Sequence, residues 1–211
     1  MGRRLAALAV LPAAATLPAC AGRETAPPPR AAAAPDWRAV ATSHDRERLR
    51  GWRDAWIAAL AGARGAGAGP QIAAQGALFD YSRALTSPIP PPGVYRCRVF
   101  KLGAKSSGLL DYISYPWFAC TVARERAVWS FTKQTGSQRH VGLIFPGEAT
   151  RAVFLGSLLL GDETRTIAYG RDPARDQAGW VERVGPTRWR IAMPYPQFES
   201  TLDVMELVPA D

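Results

Sequence analysis

Two textures of apolar and polar positions divide the chain. In the first, Leu49, Trp52, Trp56, Leu60 and Ala63 recur at helical spacing, with Arg46, Arg50, Arg53 and Asp54 on the other face. Thr42 followed by Asp45 resembles a capping box, so this helix is expected to open at Thr42 or Ser43. Its two tryptophans read as core rather than as a ligand site, because large aromatics dominate burial. The glycines between residues 62 and 69 end it, and Pro70 is placed to start a second short helix through about Ala74.

After Pro88-Ile89-Pro90-Pro91-Pro92-Gly93 the period becomes two. Strands are expected at 94–102, 112–122, 128–132, 141–145, 152–160, 166–169, 180–184, 188–193 and 204–208. The clearest hairpin runs through Gly185-Pro186-Thr187. In its second arm Trp189, Ile191 and Met193 point one way and the arginines the other, a one-sided strand with a solvated outer face. Residues 153–155 and 158–160 are apolar on both faces, so that strand needs outside cover, which the tryptophan helix is expected to supply. The fold class is mostly β with an N-terminal helical segment. Eight or so short antiparallel strands suit a small calycin-like barrel with a helix packed outside, with an open twisted sheet or a sandwich as the alternative. Residues 36–80 form the helical segment and 81–211 the β domain, with 36–211 one folded unit.

The first thirty-five residues are read as address and tether. Arg3 and Arg4 precede an apolar stretch, Leu5 to Leu11, that is shorter than the roughly 20 residues a membrane-spanning helix needs. That is the layout of a secretory signal over residues 1–20. Leu17-Pro18-Ala19-Cys20 looks like a lipobox, which implies maturation at an acylated Cys20; ordinary cleavage near Ala19 or Ala21 is the alternative. Residues 21–35, with Pro27, Pro28 and Pro29, form a disordered Pro/Ala tether. The expected location is the cell envelope: the periplasmic face of the outer membrane if lipidated, otherwise the periplasm. Membrane contact is expected only through the lipid.

Composition adjusts this picture in one respect. The chain has 211 residues, 47% hydrophobic and 21% charged, which suits one ordinary globular domain. The formal charge of +8 invites a nucleic-acid reading. Only Lys101, Lys105 and Lys133 are lysines, and the arginines are scattered rather than striped, so nucleic acid is not expected as a partner.

Few residues offer chemistry. Ser130-Phe131-Thr132-Lys133 matches the Ser-x-x-Lys pattern of penicillin-recognising enzymes, but it lies in a strand-like stretch, and the companion motifs are missing. His44 and His140 are the two histidines, far apart and unaccompanied, so no metal site and no cofactor are assigned. Asp162, Glu163, Asp172, Asp176 and Glu182 fall in turns and at strand ends, where acids serve as turn formers. The most site-like stretch is Lys133 to Arg139, a polar, glycine-containing loop between two strands. Lys133, Ser137 and Arg139 are the candidate ligand-binding residues, with the two cations gripping an anion; a plain solvated loop is the competing reading.

Several stretches carry a family resemblance. These are residues 36–38 through 48–52, Tyr95-Arg96-Cys97-Arg98-Val99, residues 131–139, Gly161-Asp162-Glu163-Thr164 and Gly185-Pro186-Thr187-Arg188-Trp189-Arg190. They look like domain of unknown function 4893, a family of uncharacterised bacterial exported proteins. The resemblance covers nearly all of the chain after the tether and implies no activity and no catalytic residues.

Cys97 and Cys120 are expected to form a disulfide. With Cys20 taken by lipid or lost with the signal, two cysteines remain in an oxidising compartment. A hairpin turning near Gly108 sets them almost opposite each other on one face; two buried thiols are the alternative. The function expected is a non-enzymatic envelope module binding a small anionic or amphipathic ligand or an envelope protein. Inhibition of an envelope hydrolase, a structural lipoprotein, and an enzyme built on Ser130 and Lys133 are the alternatives.

Overall fold

The computed structural model describes residues 35–210, together with Gly2. The helical segment comprises α1 (Trp37–Val40), α2 (Ser43–Arg50), α3 (Trp52–Gly65) and α4 (Gly69–Ala74), then a 3₁₀ turn at Gly76–Leu78. Thr42 caps α2 by accepting from the Asp45 N–H. The capping box is not reciprocal: the Asp45 carboxylate turns to Arg48 and Tyr169, and the Thr42 N–H donates to the Tyr169 hydroxyl. The single helix expected from the stripe is two, separated at Gly51, whose φ of −78° and ψ of 10° leave the helical path.

The strands are β1 (Gly93–Ala104), β2 (Tyr112–Ser114), β3 (Phe118–Glu125), β4 (Val128–Lys133), β5 (Gln138–Phe145), β6 (Ala152–Leu160), β7 (Asp176–Gly185), β8 (Arg188–Pro194) and β9 (Ser200–Pro209). Every neighbour is antiparallel, and β9 pairs back onto β1 from Tyr95↔Pro209 to Ala104↔Ser200. This closes a barrel of eight strand positions, because β2 and β3 share one flank of β1. The strand expected over 112–122 is interrupted at Tyr115-Pro116-Trp117, where proline has no N–H for the ladder. Residues 166–169 are not a strand: they lie in the 161–175 connection, with Tyr169 held to α2 by Thr42 and Asp45.

Alternation fills the lumen. Tyr95, Cys97 and Val99 of β1 meet Cys120, Phe131, Ile144, Phe154, Val181, Ile191 and Met205 from the other strands. The Cys97–Cys120 disulfide forms inside this core. The two cysteines are diagonal rather than opposed, since Cys97 faces Phe118 and Cys120 faces Tyr95 in the ladder; the Cα separation of 5.9 Å lies in the range a bridge accepts.

Helices cover the barrel as expected, but with a different division of labour. Trp56, Ala59 and Leu60 of α3 pack on Phe100, Leu102, Ala192, Leu202 and Val204, the outer faces of β1, β8 and β9. The outer face of β6, Val153 and Leu155, is covered instead by Trp37 and Leu49 of α1 and α2. The outer face of β8 is not solvated. Arg190 is 0% exposed, paired with Glu182, and donates to the carbonyls of Leu78, Asp80 and Arg83. The end of the 3₁₀ turn and the segment after it lie over it and supply those acceptors. Breaking such a pair leaves a buried charge at a cost of about 3–5 kcal/mol, so the contact pins the helical segment to the sheet.

Candidate functional site

One end of the lumen is unlike the rest. At the far end Tyr95 and Trp189 stack edge-on, their ring centroids 6.0 Å apart. At the end where β4 turns into β5, a cavity of about 230 Å³ opens. Val99, Tyr115 and Phe118 give it an apolar side; Lys101, Lys133, Ser137, Gln138, His140 and Glu199 supply polar groups. Strand alternation puts them there. Lys101 continues the inward row Tyr95, Cys97, Val99, and Lys133 follows Phe131. His140 leads Gly142 and Ile144, and Asp203 precedes Met205.

The two lysines differ in company. Lys101 Nζ lies 3.3 Å from Asp203 Oδ2, its ladder partner, and 3.1 Å from Glu199 Oε2. Burial works to lower its pKa, and these two carboxylates overcome that and hold it above the usual lysine value. Asp203 itself is raised by burial, against Lys101 and Ser200. Lys133 is 3% exposed, and no carboxylate pairs with it among the described residues. Its ammonium donates to the carbonyls of Thr135 (2.7 Å) and Gln138 (2.9 Å) and sits 3.6 Å from the centroid of the Phe118 ring. Burial, with Arg139 adding, lowers its pKa to about 8.

His140 is 2% exposed, and both ring nitrogens lack a hydrogen-bond partner among the described residues. Burial pushes its pKa down to about 3, with the Lys133 and Lys101 ammoniums adding in the same direction. It is therefore a neutral imidazole at ordinary pH, offering one N–H donor and one lone pair. Gly136 closes the turn above it. Its φ is +87°, and a Cβ there would meet the Phe118 ring at 2.7 Å and Lys133 Nζ at 2.8 Å, so the turn approaches the site only without a side chain.

The candidates from the sequence divide accordingly. Lys133 and Ser137 line the cavity. Lys133 is the last residue of β4 and points into the lumen, not a member of a solvated loop. Arg139, one position from the inward His140, faces the other way and donates to the carbonyls of Gly161 (2.8 Å) and Glu163 (2.7 Å). Lys133 and Arg139 thus leave their strands towards opposite sides of the sheet, because neighbouring positions of a strand alternate between its faces. Ser130 and Lys133, three apart on β4, also face opposite sides, and the Ser130 hydroxyl donates to Glu125.

The acids of the turns have local work. Glu163 pairs with Arg175, Asp172 caps the Ala174 N–H, Asp176 accepts from the Gly170 N–H, and Glu182 holds Arg151 and Arg190. His44 is exposed in the first turn of α2. Cys20 and residues 21–34 of the tether lie outside the described residues. Lys101, Glu199 and Asp203 carry no site role in the sequence, and His140 stands there only as an unaccompanied histidine. For Lys101 and Asp203 a signal existed: each is a charge in phase with the apolar row of its strand.

A family model described as domain of unknown function (DUF4893) matches residues 37–207, from α1 into β9. No curated protein and no solved structure matches the chain.

Proposed function

Because the chain belongs to the DUF4893 family, whose description carries no activity, we propose a function from the site itself: an exported envelope module that binds a small anionic or amphipathic ligand in the open end of its barrel. The observation that carries this reading is the cavity. A barrel serving only as scaffold fills its lumen with side chains, as this one does from Tyr95 to Phe154, whereas here one end holds about 230 Å³ with an apolar wall and convergent polar groups. The Cys97–Cys120 bridge supports export, since such bonds persist in oxidising compartments. The lipobox-like Leu17-Pro18-Ala19-Cys20 supports anchoring through Cys20.

Native mass spectrometry of the protein extracted from the envelope tests both parts. We expect a mature chain beginning at acylated Cys20 that carries a small molecule, and the small molecule is lost when Ser137→Trp fills the cavity mouth. A protein that retains nothing, and that binds no anionic or amphipathic compound offered to it, overturns the binding function. An unmodified terminus downstream of Cys20 overturns the anchor alone.

A further inference from the structure

We propose that His140 and Lys133 together form a seat for the carboxylate of a small monocarboxylic acid, whose apolar part lies against Val99, Tyr115 and Phe118. This rests on the ligand-binding reading above and names the chemistry of its ligand.

The first observation is an unmet hydrogen-bonding demand. A buried polar group without a partner costs about 1–3 kcal/mol, so native structures seldom keep one without use. His140 keeps two, at 2% exposure, in the wall of a cavity that a ligand can enter. The second is the sign of the charge around it. The groups that line the cavity with His140 are Lys101 from β1, Tyr115 and Phe118 from the β2–β3 segment, Lys133 from β4, Ser137 just before β5 and Gln138 at its start. Glu199 and Asp203 stand on the β9 side, and both are held by Lys101. The charges that act on the imidazole are the two ammoniums. Lys133 has used two of its three N–H donors on carbonyls and has no carboxylate of its own.

An acceptor carrying one negative charge therefore meets the free donor of each residue: one oxygen takes the imidazole N–H, and the other the remaining ammonium N–H. A dianion is disfavoured, because Lys133 is the single uncompensated cation of the cavity and the Glu199 carboxylate stands at its lip. A cation is disfavoured by both lysines. The size of the cavity and its Phe118 and Tyr115 wall suit a ring or short chain beyond the carboxylate. An anion seated there also restores the Lys133 proton that burial weakens, so binding falls as pH rises past about 8.

Titration of the whole chain with benzoate and with its uncharged counterpart benzamide tests the seat. We expect benzoate to bind at least tenfold more tightly than benzamide at pH 7, and to weaken about tenfold by pH 9.5. Lys133→Met and His140→Phe should each lower benzoate affinity at least tenfold while the thermal transition is retained. With ¹⁵N-labelled histidine, benzoate should shift the ring nitrogens of His140 and leave those of the exposed His44 unmoved. Equal binding of benzoate and benzamide, or benzoate binding undiminished in Lys133→Met, overturns the carboxylate seat and leaves a ligand cavity indifferent to charge. If benzoate does not bind while benzamide or a co-purified uncharged molecule does, the seat alone falls. If nothing binds and nothing co-purifies, the binding function falls with it.

Discussion

His140 is buried, and neither of its ring nitrogens has a hydrogen-bond partner among the described residues. Its ring is neutral in the folded barrel, and its pKa drops from 6.5 to about 3 because the charged form cannot be solvated there. A base whose folded pKa is depressed takes up its proton more readily when unfolded. The stability it permits is therefore present above pH 6.5 and lost as pH falls from about 6.5 towards 3, by an amount on the order of 5 kcal/mol. Glu163, held down to about 2 chiefly by Arg175, acts in the same direction at lower pH but is unaltered by changes at His140. His140→Phe should therefore leave stability at pH 7 level or higher, since neither ring nitrogen has a partner to lose. It should also shift the midpoint of acid unfolding downward. Chemical denaturation at pH 7 and pH 4 measures both; an unchanged pH dependence would show that the imidazole is not buried as described.

Among the elements, β5 and β6 show how a barrel interior is tuned by what is omitted. Gly142 and Gly156 are ladder partners on the inward face. A Cβ on Gly142 would meet the Leu155 carbonyl oxygen at 2.3 Å and the Gly156 Cα at 2.5 Å; one on Gly156 would meet the Phe154 ring at 2.6 Å. The pair clears a floor on which Phe154 lies, edge-on to Phe131 with centroids 5.6 Å apart. Gly142→Ala should therefore destabilise by about 1–3 kcal/mol through strand displacement, although alanine suits a strand no worse than glycine does. A thermal melt of Gly142→Ala checks this, and a loss under about 0.5 kcal/mol would mean that the strands separate there without cost. The helical elements were legible from their apolar stripe, yet the break at Gly51 was not, because a helical pattern tolerates a single glycine.

For the molecule as a whole, closure is the central fact. β1 and β9 pair along nearly their full length, leaving the three-residue β2 beside one half of β1. The long sheet edges that would otherwise template association are thereby paired, and the edge left at β2 is three residues long. The Cys97–Cys120 bridge crosses the adjoining β1–β3 seam inside the lumen, closing a loop with a sequence separation of 23. Removing that constraint with Cys97→Ala/Cys120→Ala should cost about 3 kcal/mol in the chain-entropy account, and thiol titration of the unfolded, unreduced protein should find neither cysteine reactive. Two reactive thiols at these positions would refute the bridge. The cysteines were found from their parity and their shared face. Their diagonal register was not, because it depends on how the β1–β2 and β1–β3 ladders are offset along β1.

The sequence by itself determined that helices precede a run of antiparallel strands, the period-two alternation that gives the β strands an inward row, and the pairing of two cysteines. These are local: each is carried by neighbours within a hairpin or a helical turn, and the polar Lys133 to Arg139 stretch is legible in the same way. Tertiary structure alone decided which outward rows are wet and which inward rows end in charge. Arg190 reads as a solvated position until the carbonyls of residues 78–83 fold across it, more than a hundred positions away in the chain. Lys101 meets Asp203 only because the first long strand returns to the last. His140 becomes a buried, unpartnered imidazole only once eight strands enclose it. Burial and charge are sums over everything that packs nearby, and in a closed barrel most of that comes from strands distant in sequence.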